Sequence, residues 1–240
     1  LGLTHGVASA QTPPAAYPAD SAFTAITCSD PTSIPSTDSC TDEARDHRNI
    51  VGAGATPAYL ITNDGTYLYL RIRVEADPTQ SGAFRAFAWG FGLDADADGE
   101  FEAYITLIGQ GMSDRVEIRD QDPDNGITPD RVGPTALTAI YSDLAMPSWG
   151  ISTIAPSVGG MPPYCADDTD MADYYITVAV PLTVVRDFGA LGGVVAYGGS
   201  SSMFSGIQND FVCADGTPPS CTMGSTCASG ICLASTGVCA

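Results

Sequence analysis

The chain contains no lysine. Its nine basic residues are all arginine and stand against 28 acidic ones, for a formal net charge of -19 over 240 residues. Nucleic acids and anionic membrane surfaces are held through basic patches, so this charge balance excludes both as partners. Histidine is almost as scarce, with His5 and His47 alone. H-E-x-x-H, G-x-S-x-G and C-x-x-C-H are all missing, and the metalloprotease, serine-hydrolase and covalent-haem chemistries go with them. Acidic residues are plentiful enough for a paired-carboxylate glycosidase, yet nothing singles out a pair. The expectation is that the protein is not an enzyme. No apolar run reaches the length of about 18 residues that spans a bilayer, so no membrane insertion is expected.

What is abundant is turn chemistry and cysteine. The 26 glycines and 17 prolines break the chain into short segments, as in an all-β protein with many turns. Eight cysteines, an even number, place it in an oxidising compartment, secreted or on a cell surface. The expected fold is an antiparallel β-sandwich, jelly-roll-like, over residues 58–212. An irregular N-terminal arm (residues 1–57) precedes it, and a small disulfide-rich module (residues 213–240) follows.

Residues 87–109, FAWGFGLDADADGEFEAYITLIG, organise the rest. Phe87, Trp89, Phe91 and Leu93 alternate with Ala88, Gly90 and Gly92, so one strand face is bulky and the other slim. Phe101, Ala103, Ile105 and Leu107 repeat the period. Between the strands, Asp94, Asp96 and Asp98 lie two residues apart and Gly99 follows. Carboxylates at this spacing suit a hard cation with oxygen ligands, and Ca2+ fits best. The position of the usual bidentate glutamate is Ile105, and the flanks are strands, so this is a β-sheet calcium loop and not an EF-hand. Glu100 offers a carbonyl and Glu102 a carboxylate. The plainer reading is an acidic hairpin loop, although carboxylates packed this closely repel one another without a cation. Asp120, Asp122 and Asp124 repeat the spacing around Pro123, as a second metal loop or an Asx-rich turn. Asp167, Asp168, Asp170 and Asp173 form a third acidic cluster.

Residues 59–62 read as a short strand, Asn63-Asp64-Gly65 as a hairpin turn and residues 66–75 as the longest strand. There Leu68, Leu70, Ile72 and Val74 face the core. Tyr67, Tyr69, Arg71, Arg73 and Glu75 face outward, either as a binding surface or as a solvated face with cation–π packing. Further strands are expected at residues 112–119, 135–141, 149–154, 174–180 and 193–198, with a helical turn over residues 181–188.

Within residues 1–10, Leu1, Leu3, His5 and Val7 alternate with Gly2, Thr4, Gly6 and Ala8. That is a strand with one slim face. The rival reading is the tail of a signal peptide, because Ala8-Ser9-Ala10 fits a cleavage site. Cys28 and Cys40 bracket a loop and are a natural pair. Cys213, Cys221, Cys227, Cys232 and Cys239 crowd the tail, and spacing alone does not fix their connectivity.

Two resemblances carry further expectations. Tyr67-Leu68-Tyr69-Leu70-Arg71-Ile72-Arg73-Val74, the Phe91-Gly92-Leu93-Asp94-x-Asp96-x-Asp98-Gly99 loop, and Val180-Pro181-Leu182 followed by Ser200-Ser201-Ser202 occur in that order. Together they resemble the extracellular β-sandwiches related to family 9 carbohydrate-binding modules and DOMON domains. The last four cysteines resemble small modules on secreted proteins of large-genome bacteria. That likeness implies interlocked pairs Cys221–Cys232 and Cys227–Cys239, leaving Cys165 for Cys213.

Two functions follow as expectations. One is a structural subunit of an extracellular filament or surface layer, its partner a second copy of itself. Leu1, Leu3 and Val7 of one copy then add a strand to the next, as in donor-strand complementation. The other is a carbohydrate-binding or adhesive module that stacks sugar on Trp149, Tyr164 or the Tyr67/Tyr69 face.

Overall fold

The computed structural model describes residues 14–25, 47–52, 57–93, 103–109, 114–121, 132–142, 152–154, 173–186, 198–201, 211–212, 232–233 and 238–239. Most of them lie in antiparallel strands and very few in helix, which makes the fold all-β. In chain order the strands are β1 (Thr24–Ala25), β2 (Tyr59–Asn63), β3 (Tyr67–Val74), β4 (Thr79–Gln80), β5 (Ala83–Phe84), β6 (Ala88–Leu93), β7 (Ala103–Ile108), β8 (Arg115–Gln121), β9 (Val132–Ser142), β10 (Ser152–Ile154) and β11 (Asp173–Pro181). A one-turn helix, α1 (Leu182–Arg186), precedes β12 (Gly198–Ser201), β13 (Phe211–Val212), β14 (Cys232–Leu233) and β15 (Val238–Cys239).

Two large sheets form, in the orders β1-β2-β3-β11-β10 and β13-β12-β6-β7-β8-β9. Both are built as the alternation dictates. Leu68, Leu70 and Ile72 on β3 pair with Val180, Val178 and Ile176 on β11 and bury together. Phe87, Trp89 and Phe91 bury with Ile105, Leu107 and Val116 of the second sheet. All of these side chains belong to one apolar cluster. Tyr59 of the first sheet meets Phe91 of the second edge to face, with ring centroids 5.6 Å apart. Trp89 is fully buried, as its place among core residues predicts, and packs between Phe84 and Phe87 at 5.7 and 5.5 Å.

Several expected boundaries move. Pro181 is not inside the helix. It is the last residue of β11, opposite Tyr67 at the ladder's end, where its missing N–H does no harm. The Leu182 N–H then continues the ladder to the Thr66 carbonyl at 2.9 Å. Of the strand expected at residues 193–198, residues 193–197 lie outside the described residues, and Gly198 opens β12 (Gly198–Ser201). Gly198, Gly199, Ser200 and Ser201 lie opposite Phe91, Gly90, Trp89 and Ala88 of β6. The β4–β5 hairpin was not anticipated, because its strands are two residues each. It is held from outside: Asp114, fully buried, accepts the Phe84 N–H at 2.9 Å.

The core also begins before residue 58. Ile50 bridges Val74, and both are wholly buried. Gly109 permits a close backbone approach. A Cβ there lies 2.2 Å from the Arg85 carbonyl oxygen and 2.8 Å from the Phe84 Cβ, so only glycine fits.

Candidate functional site

The row expected to face outward from β3 is the most chemically dense part of the described structure, and it is not a solvated face. Tyr69, Arg71, Arg73 and Glu75 are 1%, 2%, 6% and 5% exposed. The solvated reading fails because the chain lays its own earlier segments across the sheet.

Residues 14–25 form a strap. It runs over the outer face, makes a single 3₁₀ turn at Asp20–Ala22 and ends as β1, paired with Leu60 and Ile61 of β2. Three of its side chains engage the sheet. Tyr17 packs edge-on against Tyr69 at 5.8 Å. Phe23 lies under the Arg71 guanidinium, 3.6 Å from the ring centroid. Asp20 accepts a 2.6 Å hydrogen bond from Arg71 Nη1. From the other side, Tyr175 of β11 faces the same guanidinium at 4.7 Å, and Arg71 Nε donates to Thr177 Oγ1 at 2.9 Å. Arg71 thus stacks on two rings while its Nε and Nη1 are both hydrogen-bonded, a use of arginine that lysine does not reproduce. Burial pulls the Arg71 pKa below its usual value, and the Asp20 carboxylate works against that shift. Burial likewise raises the Tyr175 hydroxyl, opposed by Arg73 and Arg71.

The next pair along the face is Arg73 with Asp173 of β11. They form an ion pair whose side chains are 7% and 4% exposed. Residues 49–51 cover the end of the row. The Asn49 carbonyl accepts the Glu75 N–H at 3.0 Å, the Val51 N–H reaches the Arg73 carbonyl at 3.2 Å, and the Asn49 side-chain amide donates to Glu75 at 2.8 Å. Asp173, read in the sequence as one of four carboxylates in an acidic cluster, is placed here as the buried partner of an arginine.

At the opposite end, the expected hairpin turn is closed by Asp64. Its carboxylate accepts from the Thr66 and Tyr67 N–H groups, both at 2.8 Å, and from the Tyr69 hydroxyl at 2.7 Å. Gly65, at φ 87°, supplies the left-handed residue the turn requires. Burial pushes the Asp64 pKa up, but the hydrogen bonds from Tyr67, Tyr69 and Thr66 outweigh it and hold the carboxyl below its usual range. Burial and the same carboxylate raise the Tyr69 hydroxyl. A depressed carboxyl stabilises the fold above its unfolded value, and that stabilisation is lost as pH falls through the folded one. The wild-type unfolding midpoint is therefore expected to drop, as pH falls below the ordinary carboxyl value of 3.8, by an increment that Asp64→Ala lacks. Urea melts of both proteins above and below that value check it.

The remaining candidates fare unevenly. Leu93 and Ala103 pair at the mouth of the β6–β7 hairpin, so the strands flanking the first Asp loop are the expected ones. Asp94, Asp96, Asp98, Glu100 and Glu102 themselves lie outside the described residues, as do Asp122 and Asp124. Asp120 is a strand residue of β8, opposite Ala103. Among the described residues no group of three or more His, Cys, Asp or Glu side chains gathers to hold a metal. Leu1, Leu3, Val7, Trp149, Tyr164, Cys28, Cys40, Cys165, Cys213, Cys221 and Cys227 are also outside the description. In the tail, β14 and β15 set Cys232 directly opposite Cys239.

Sequence reasoning missed the strap. Its signal was present: Tyr17 and Phe23 are large aromatic residues in a stretch of Pro, Ala, Ser and Thr, and an isolated aromatic in such a stretch needs something to pack on. No family model, curated protein or solved structure matches the chain.

Proposed function

We propose that the protein is a secreted structural subunit of an extracellular filament or surface assembly. In this reading the two sheets form a sandwich, Ca2+ at the Asp94 loop stiffens it, and subunits associate through the strand at residues 1–8. The observation that carries the reading is the strap. The tyrosine–arginine face is the described surface with the chemistry to recognise a ligand, and the chain fills it with its own Tyr17, Asp20 and Phe23. Tyr69 is therefore withdrawn from the residues on which a sugar would stack. A face closed in this way suits a building block.

Strand addition at a sheet edge is also something this part of the chain already does, since β1 completes the edge of β2. The segment just before the strap carries the alternating pattern of a second such strand. The eight cysteines and absent lysines fit a protein whose cohesion comes from packing, disulfides and metal.

Removing residues 1–10 tests the reading. The shortened chain is expected to keep its far-ultraviolet circular dichroism and to sediment as a single small species, while the full chain forms large ones. Unchanged assembly without residues 1–10 contradicts the proposal. So does a full chain that stays monomeric and binds a glycan array equally well with or without those residues.

A further inference from the structure

A donated strand needs an acceptor edge, and among the described residues the two large sheets offer four. Three are short: β1 has two residues, β10 three and β13 two. The fourth, β9, has 11 residues and pairs among the described residues with β8 alone. It extends roughly 36 Å at the usual rise per residue. Its sequence, VGPTALTAIYS, holds no charged side chain. Proteins keep edge strands from pairing by making them short, charging them, or breaking them with proline and bulges. β9 is neither short nor charged. It has one proline, Pro134, near its start, and three register shifts against β8.

We propose that residues 135–142 of β9 are the acceptor for residues 1–8 of a second copy of this chain. This rests on the subunit reading above. Length allows it, since β9 has 11 residues and the arm spans residues 1–10. Charge agrees more tellingly. Two copies at -19 each repel one another, yet β9 is neutral and residues 1–19 contain no Asp or Glu, the first acid being Asp20. Docking one neutral segment on the other brings the chains together where the repulsion is least. The register shifts bend β9, so its partner must bend with it, and Gly2 and Gly6 give residues 1–8 that freedom. The geometry also sets the kind of assembly. The donor is rooted at the strap, on the five-stranded sheet, and the acceptor is the edge of the six-stranded sheet. Donor and acceptor patches differ, so the contact is heterologous, and repeating it extends a filament wherever the rotation between copies does not close a ring or a reciprocal exchange.

Hydrogen exchange read by mass spectrometry tests this on the whole chain. Amides of residues 132–142 are expected to exchange at least about tenfold more slowly in the assembled full chain than in the chain lacking residues 1–10. A synthetic peptide of residues 1–10, added to the shortened chain, is expected to restore that protection. Assembly with no change in β9 overturns the acceptor assignment and leaves the subunit reading standing. Protection of β9 in a monomeric full chain, independent of concentration, overturns it differently, because the arm then folds back on its own molecule. A full chain that neither assembles nor protects β9 overturns both readings.

Discussion

Asp173→Ala is expected to lower the unfolding free energy by about 3–5 kcal/mol, and Arg73→Ala by a similar amount. The reason is not the strength of the ion pair. Both side chains lie under the strap side of the sheet at 7% and 4% exposure, so removing either leaves the other charge buried without its counter-ion. Replacing both together, as Arg73→Met with Asp173→Leu, is expected to fall within about 2 kcal/mol of the wild type, because apolar groups of similar volume avoid the desolvation cost. Guanidinium unfolding followed by tryptophan fluorescence measures this, with the fully buried Trp89 as reporter. Single variants that lose less than about 1 kcal/mol would place the pair in the class of surface ion pairs and contradict the burial assigned here.

The second large effect belongs to Arg71. Arg71→Ala removes a desolvated guanidinium from against Phe23 and Tyr175 and breaks its bond to Thr177. A loss of about 2–4 kcal/mol is expected from the stacked rings and the charged hydrogen bond together. Asp20 contributes little of this. Its side chain is 70% exposed, and an ion pair with one such partner is worth less than about 1 kcal/mol. The ordering Arg71→Ala, then Phe23→Ala, then Asp20→Ala, from most to least destabilising, separates a stacked clamp from a salt bridge. Arg71→Lys is expected to recover little of the loss, because an ammonium neither stacks flat nor reaches Thr177 and Asp20 at once. A double-mutant cycle between Arg71 and Phe23 reads the coupling directly. Additive losses would mean that the strap is held by its backbone pairing with β2 and not by the clamp.

These two residues also mark where the sequence could be read and where it could not. The alternation on β3 and β6 reports one thing well: which side chains are apolar on which face. Leu68, Leu70, Ile72, Phe87, Trp89 and Phe91 are where period two puts them, because the large rings and branched chains have only the shared core to enter. The opposite face is a different matter. Tyr69, Arg71 and Arg73 are polar enough to be solvated and amphipathic enough to be buried. What decides is a segment some fifty residues earlier in the chain (Asp20 bonds Arg71 across 51 positions). Nothing local to β3 carries that information. The same holds for Thr177, which meets Arg71 across 106 positions, and for Asp114, whose partner is a backbone N–H in a two-residue strand.

Short elements were the other blind spot. β1, β4 and β5 have two residues each, too few for any period to register, and tertiary contacts alone justify them. The Asp64 turn, by contrast, was legible, since Asn-Asp-Gly between two apolar strands states its own geometry.

Negative-stain electron microscopy of the purified native protein, with and without a calcium chelator, tests the central claim most directly. A strand-linked, calcium-stiffened subunit predicts regular filaments that fray or soften when the chelator is added. Monodisperse particles in both conditions, at every concentration tried, would contradict it.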